Sequence, residues 1–98
     1  MCRTAITREE GASKGRYVYR PEDSGESAEL TYSRVSPTRI IVDHTGVPDS
    51  LRGQGIGQAL AREAVEDALA DGVRIIPLCP FFKAQAQRHP EWHDVVEI

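Results

Sequence analysis

The chain has 98 residues, 40% of them hydrophobic and 28% charged, and this length supports one modest core and a single domain spanning residues 1–98. A formal net charge of -3 provides no positive field for nucleic acid or an anionic membrane, and no apolar run is long enough to cross a bilayer. The two cysteines and three histidines lack the spacing of metal ligands, and the first residues lack the pattern of a signal peptide. We therefore expect a cytoplasmic protein with no metal and with neither nucleic acid nor membrane as a partner.

The N-terminal half has the alternating pattern of antiparallel β-strands. Residues 4–9 predict a first strand, followed by the turn EGASKG, and their alternation is weak. Apolar or aromatic side chains alternate with polar ones in GRYVYR, residues 15–20, and in ELTYSRV, residues 29–35. The polar, turn-forming segment PEDSGESA, residues 21–28, predicts the loop that joins these two strands.

The C-terminal half has the pattern of a strand, a helix and a second strand. Residues 38–47, TRIIVDHTGV, are rich in β-branched side chains, which is typical of a buried strand. Residues 57–69 repeat small or apolar side chains at helical spacing, and Gly72 predicts the C-terminal cap. Residues 73–78, VRIIPL, predict another buried strand. Because the connections are short, the three elements predict a βαβ unit with parallel strands.

A glycine-rich loop connects the first of these strands to the helix. In VPDSLRGQGIGQALAREA, residues 47–64, glycines occupy positions 53, 55 and 57, and Arg52 precedes them. Backbone N–H groups and the positive end of the helix dipole meet at such a loop, so it is suited to bind an anion. The alternative is a turn that only lets the helix and strand pack closely. The loop has no lysine, which excludes a Walker phosphate loop, and Gln58 stands where a Rossmann fingerprint requires glycine.

The pattern Arg-x-x-Gly-x-Gly, formed by Arg52, Gly55 and Gly57, resembles the pyrophosphate loop of the GNAT N-acetyltransferase superfamily. Three blocks in this order, HTGVPDSLRGQGIGQAL, GVRIIPLCPFF and RHPEWHDVV, are similar to the compact GNAT-like acetyltransferase family. The resemblance implies an α+β fold with a mixed, mostly antiparallel sheet. It also implies that the parallel strands of the C-terminal βαβ unit splay to admit acetyl-CoA.

The same resemblance implies a function and a set of cofactor-binding residues. The chain would transfer the acetyl group of acetyl-CoA to an amine on an unidentified acceptor, such as a protein or a polyamine, through an open acceptor side. A non-catalytic module that binds CoA, acyl-CoA or another protein is the alternative. Cations on the second helix would meet the 3'-phosphate of CoA, unless that helix face is only solvated. The implied cofactor-binding residues are Gly46, Val47, Arg52, Gly53, Gln54, Gly55, Ile56, Gly57, Cys79, Lys83 and Arg88.

Two catalytic candidates arise because the usual GNAT residues are missing. The strand ends with Gly46, where many GNAT enzymes have a glutamate base, and the helix that begins at Pro80 lacks the usual tyrosine acid. Cys79 directly precedes Pro80, where the helix dipole favours a thiolate that could attack the acetyl thioester and carry the acetyl group. The alternative is a packed, inert thiol. His44 is either a base near the cleft or a core histidine.

Overall fold

The computed structural model describes residues 6–20, 27–51, 53 and 55–97. This part of the chain contains five strands and two α-helices: β1 (Ile6–Glu10), β2 (Lys14–Tyr19), β3 (Ala28–Ser36), β4 (Arg39–Gly46), α1 (Ile56–Asp71), β5 (Arg74–Pro77) and α2 (Pro80–Arg88). Short 3-10 turns at Asp49–Leu51 and Pro90–Asp94 precede α1 and follow α2. Residues 4 and 5 of the predicted first strand, most of the predicted loop at 21–28, and Arg52 and Gln54 lie outside the described residues.

The strands form one sheet in the order β1-β2-β3-β4-β5. Antiparallel pairing joins β1 through β4 in succession, and β5 is parallel to β4 because α1 carries the chain back to the starting end of the sheet. Beyond β5, Ile75 N–H donates to the Val95 carbonyl at 2.6 Å, and Glu97 N–H donates to the Ile75 carbonyl at 2.8 Å. The predicted α+β fold with a mixed, mostly antiparallel sheet and a βαβ unit is confirmed.

Both helices pack on the same face of the sheet. One buried cluster joins the side chains of that face to apolar residues of α1, α2 and the C-terminal segment. Helix α1 contributes the predicted small and apolar stripe, which consists of Leu60, Ala61, Ala64, Val65 and Ala68. The opposite face, which we call the outer face, carries polar or partly exposed side chains on β3 and β4: Thr31, Ser33, Ile41, Asp43 and His44. Within the described ranges, no helix covers this part of the outer face.

A glycine lies at each end of α1. Gly55 has a φ of 74° immediately before the helix, and Gly72 has a φ of 69° and donates its N–H to the Ala68 carbonyl. Both glycines have the left-handed conformation, which other residues rarely adopt, and the predicted cap at Gly72 is confirmed. Pro80 occupies the first position of α2, as the sequence predicts. Neither described helix has the length and apolar content that a membrane span requires.

A polar network attaches α1 to the N-terminal strands. The Tyr17 hydroxyl of β2 donates to Asp67 of α1 at 2.8 Å, and Arg8 of β1 reaches the same carboxylate at 3.3 Å. Arg8 also donates to the Tyr32 hydroxyl at 3.2 Å, and Tyr32 donates to Glu10 at 3.0 Å. Burial, followed by the hydrogen bond to Asp67, raises the pKa of Tyr17 well above its ordinary value. The network attaches the C-terminal part of α1 to the N-terminal strands.

Candidate functional site

The two parallel strands separate halfway along β4. Their pairing ends where Val42 lies beside Pro77. The Val42 carbonyl then accepts the N–H groups of Leu78 at 3.1 Å and Cys79 at 2.9 Å, and the chain leaves the sheet to begin α2. Strand β4 continues to Gly46 in its pairing with β3. A gap therefore opens beside the second half of β4, on the side where β5 has ended.

A β-bulge interrupts β4 at the start of this gap. Thr31 of β3 pairs with His44, whereas the next residue, Tyr32, pairs with Val42, so Asp43 is the extra residue in β4. On the outer face, the Asp43 carboxylate accepts a hydrogen bond from the Thr31 hydroxyl at 2.6 Å. The bulge lies three residues before Gly46, the last residue of β4.

The bulge decides which side chains of β4 face the helices. Beyond it, Thr45 pairs with the buried Leu30 and therefore faces the helix side, whereas His44 is exposed on the outer face. The interpretation of His44 as a core histidine is wrong, because it required unbroken alternation from Ile40 and Val42. His44 and Thr45 are adjacent in the sequence and lie on opposite faces of the sheet.

A cavity of about 560 Å³ lies on the helix side of the gap. Its volume falls within the range of small-molecule sites. The end of β4, the glycine loop and the first turns of α1 and α2 form its walls, with the lining residues Thr45, Val47, Gly53, Gly55, Ile56, Gly57, Gln58 and Phe81. Five of the predicted cofactor-binding residues are thus brought together, and Gly46 lies next to them at the end of β4.

The first turn of α1 faces this cavity. Ile56, Gly57 and Gln58 precede the first bond that closes a turn, which Ala59 N–H makes to the Gly55 carbonyl at 3.0 Å. The N–H groups of a first turn have no partner inside an α-helix, and the helix dipole adds positive potential at the same place. This end of the cavity therefore has the geometry and electrostatics of an anion site.

Gly53 and Gly55 are fixed by their backbone conformation, with φ angles of 82° and 74°. Gly57 is fixed by packing, because a Cβ there would lie 2.8 Å from Phe81 Cζ and 3.5 Å from Val47 Cγ2. The Phe81 side chain, 37% exposed, lines the cavity where it meets α1. The sequence left open the alternative that the glycines only allow close packing, and this alternative applies to Gly57.

Cys79 lies where β5 ends, next to Thr45. Its sulfur is 3.5 Å from the Thr45 hydroxyl oxygen, and the residue is only 4% exposed. The thiol is packed in the core cluster and is adjacent to a residue that lines the cavity. Its position at the start of α2 agrees with the sequence, and its chemical role stays a prediction.

Among the described residues, the predicted Lys83, Arg88 and His44 do not line the cavity. Arg88 follows Phe81 by seven residues, so it lies on the same side of α2, two turns further along. Lys83 follows Phe81 by two residues and lies on the opposite side. Both cations are exposed, and His44 is on the outer face. Among the residues that the structure describes, no group of three His, Cys, Asp or Glu side chains is arranged to hold a metal ion.

Sequence reasoning missed three residues that line the cavity, Thr45, Gln58 and Phe81. Gln58 directly follows the predicted Gly57, and its place in the first helical turn was a usable signal. Phe81 likewise belongs to the first turn of the predicted second helix. No comparable signal existed for Thr45, because its orientation depends on the bulge.

A sequence model of the family described as GCN5-related N-acetyl-transferase matches residues 16–95. The match includes both helices, β4, β5 and every residue that lines the cavity. The chain belongs to the GCN5-related N-acetyltransferase family. Family and fold together support an acyltransferase.

Similarity to two individual proteins agrees with the assignment of this chain to the GCN5-related family. It is similar to a GCN5-like protein from Staphylococcus aureus, solved by NMR and proposed to be an N-acetyltransferase, with a TM-score of 0.70 and 32% identity. That similarity covers 95% of this chain and 89% of the Staphylococcus protein. The chain is also 24% identical over 87 residues to Protein NATD1 of Xenopus tropicalis. The aligned region covers 89% of this chain and 80% of that protein. The resemblance seen in the sequence is confirmed for family and fold.

Proposed function

We propose that the chain binds acetyl-CoA in the cavity beside β4 and transfers its acetyl group to an amine. The observation that carries this proposal is that the N-terminus of α1 and the gap between β4 and β5 meet at one cavity of about 560 Å³. One end of the cavity suits an anion, and the other end is a cleft beside a strand. These two environments match the two ends of acetyl-CoA, a pyrophosphate and a thioester on a long amide-containing arm.

The pyrophosphate is assigned to the loop before α1. Gly53 and Gly55 leave the backbone open there, since a Cβ at Gly53 would meet no atom within 4 Å. The first-turn N–H groups of α1 are the fixed donors. Arg52 is assigned a charge-assisted contact and Gln54 a place in the same loop, on the basis of the sequence pattern.

The pantetheine arm is assigned to the gap. Gly46 and Val47 are the residues whose backbone groups would pair with its amides, because β5 does not extend to this level of β4. The 3'-phosphate is assigned to Arg88 rather than Lys83, since Arg88 lies on the same side of α2 as the cavity residue Phe81.

Cys79 is the proposed acetyl carrier. Its thiolate attacks the carbonyl carbon of the thioester, a new C–S bond forms, and the C–S bond to CoA breaks. CoA leaves with the proton that Cys79 gave up. The acceptor amine then attacks the acetyl group on Cys79, a C–N bond replaces the C–S bond, and a proton of the amine returns to the sulfur. Support comes from the place of Cys79 at the start of α2 and beside the cavity residue Thr45.

The acceptor amine is proposed to approach from the outer face. His44 is exposed there, one residue away from Thr45, and is the proposed base that takes the amine proton when the amine attacks acetyl-CoA directly. An open sheet face suits an exposed amine on a protein or a polyamine. Direct attack of the amine on acetyl-CoA, without Cys79 as a carrier, would use the same face and the same base.

A non-catalytic module that binds CoA or acyl-CoA is the second candidate. The burial of Cys79, at 4% exposed, favours it, as does the absence from the sequence of the usual glutamate and tyrosine. Such a module would bind CoA in the same cavity without turnover.

Thermal unfolding with CoA tests the binding proposal. A concentration of one hundred times the Kd should stabilise the parent by about 2.7 kcal/mol. Arg52→Ala should keep the melting temperature of the free protein and lose most of the shift, because a loop arginine acts mainly on the ligand. A parent that gains no stability from millimolar CoA at low salt contradicts the binding site itself.

Incubation with acetyl-CoA and a panel of amines separates the two candidates. A carrier predicts an acetyl group on Cys79, visible by intact mass and removed by hydroxylamine, and its loss in Cys79→Ser. Cys2 is the internal control, and equal labelling of both cysteines would indicate nonspecific acylation. Amine acetylation that survives Cys79→Ser favours direct attack. A protein that binds CoA and acetylates nothing is the non-catalytic module.

A further inference from the structure

Thr45 lies between the cavity and the buried sulfur of Cys79. Its side chain lines the cavity, and its Oγ1 lies 3.5 Å from Cys79 Sγ. Thr45 faces this side of the sheet only because the bulge at Asp43 shifts the alternation of β4. The contact thus requires both an irregular strand and the turn that places Cys79 at the end of β5.

Cys79 is held against β4 at two points, one on each side of the bulge. Its N–H donates to the Val42 carbonyl at 2.9 Å, and its sulfur meets the Thr45 hydroxyl beyond Asp43. A cysteine that only fills space needs no polar partner, because it behaves as a small hydrophobic residue. Thr45, half-buried at the cavity, places its hydroxyl as a polar partner for this sulfur.

We propose that Thr45 is a positioning residue for Cys79, holding the sulfur at the edge of the cavity and donating a hydrogen bond to it once it is ionised. The proposal rests on the acetyl-carrier function proposed above. In the neutral pair the thiol donates to Oγ1, and after ionisation the hydroxyl donates to the sulfur. A hydrogen bond to the charged form favours that form. Thr45 itself forms and breaks no covalent bond, so the balance of the transfer is unchanged.

The test compares Thr45→Val, which keeps the side-chain shape and removes the hydroxyl, with Thr45→Ser, which keeps the hydroxyl. Both are made in a Cys2→Ser background, where Cys79 is the one remaining cysteine. Thiolate formation is followed by ultraviolet absorbance across pH. Thr45→Val should move the midpoint upward by about one pH unit, and Thr45→Ser should stay near the parent. At neutral pH, acetylation of Cys79 by acetyl-CoA should be about tenfold slower in Thr45→Val.

Thr31→Val is the matched control, because it removes a hydroxyl bonded to Asp43 at 2.6 Å on the outer face of the same bulge. It should leave the thiolate midpoint where it is in the parent. Circular dichroism and CoA affinity check each variant, and Thr45→Ala replaces Thr45→Val if the latter does not fold.

An unchanged midpoint in a folded Thr45→Val that binds CoA like the parent overturns the proposal. If the midpoint moves and the parent shows no acetyl mark, Thr45 still holds the thiol and the acetyl-carrier function of Cys79 fails instead. The two proposals therefore fail on different measurements.

Discussion

Gly53, Gly55 and Gly57 alternate in one loop, and substitution of each would meet a different obstacle. Gly53 and Gly55 have positive φ, so any side chain there strains the backbone. Gly57 lies inside α1 with helical geometry, and its obstacle is the Phe81 ring. The sequence pattern treats the three alike, because it contains no information on the neighbour that approaches each position.

Replacement of Gly57 by alanine tests this close approach. A Cβ 2.8 Å from Phe81 Cζ must displace this exposed ring, so Gly57→Ala should lose up to about 1 kcal/mol of stability and weaken CoA binding. In a Phe81→Leu background the same change should cost much less, because the obstructing ring is gone and alanine suits a helix better than glycine. Chemical unfolding and CoA titration of the parent, the two single variants and the double variant give the coupling energy between Gly57 and Phe81. Equal effects in both backgrounds would show that Phe81 is not the obstacle.

At the scale of elements, the attachment of α1 to β1, β2 and β3 depends on tyrosines that are kept neutral. Burial is the main reason why the pKa of Tyr17 and the pKa of Tyr32 are raised. A tyrosine with a raised pKa in the folded protein contributes stability that is present below the ordinary pKa of 10.0 and is lost as pH rises above it. The helix and the strands should therefore lose their attachment at alkaline pH.

Substitution of Tyr17 by phenylalanine removes one part of this dependence. Tyr17→Phe should lose about 1 kcal/mol at neutral pH, because the hydroxyl no longer donates to Asp67. Above pH 10 the parent should lose stability more steeply than Tyr17→Phe, as measured by urea unfolding across pH. Tyr19→Phe, on the same strand and outside this network, is the control and should follow the parent. Parallel curves for Tyr17→Phe and the parent would contradict the assignment.

The elements themselves are largely predictable from the sequence, and the path of β4 is not. The alternating strands, the apolar stripe on α1 and the cap at Gly72 each correspond to a local pattern in the sequence, which predicts them. Residues 40–42 are β-branched on both faces, so this part of β4 has no alternation that could show a slip of one residue. The position of Asp43 as a bulge, and hence the orientation of His44 and Thr45, is set by pairing with β3.

For the molecule as a whole, the C-terminal segment completes the core. Trp92 is 4% exposed, stacks on Phe82 with ring centroids 6.4 Å apart and stacks on His89 at 4.3 Å. The residues that follow it include the buried Val96, which forms a bridge with Ile75 at the edge of β5. A domain of this size has little core to spare, so its stability should depend on this distant segment.

Trp92→Ala should destabilise the whole chain. Removal of a buried indole costs about 3–5 kcal/mol, which is a large share of the roughly 5–15 kcal/mol that stabilises a typical domain. Denaturant unfolding measures this change, and it should show a large shift of the midpoint or loss of the cooperative transition. His93→Ala, at an exposed neighbouring position, should cost less than about 1 kcal/mol. Similar losses in the two variants would mean that Trp92 does not anchor the segment.

The bulge in β4 also affects the distance between the acetyl thioester and the acceptor amine in the proposed reaction. His44 and Thr45 are joined by a single peptide unit, and one belongs to the open side of the sheet while the other belongs to the cavity. The sheet at this point is a partition only one backbone thick, with an opening where β5 has ended. In the proposed reaction, a thioester on one side and an amine on the other could meet through that opening. A chain of 98 residues would then need no interior chamber large enough for both molecules.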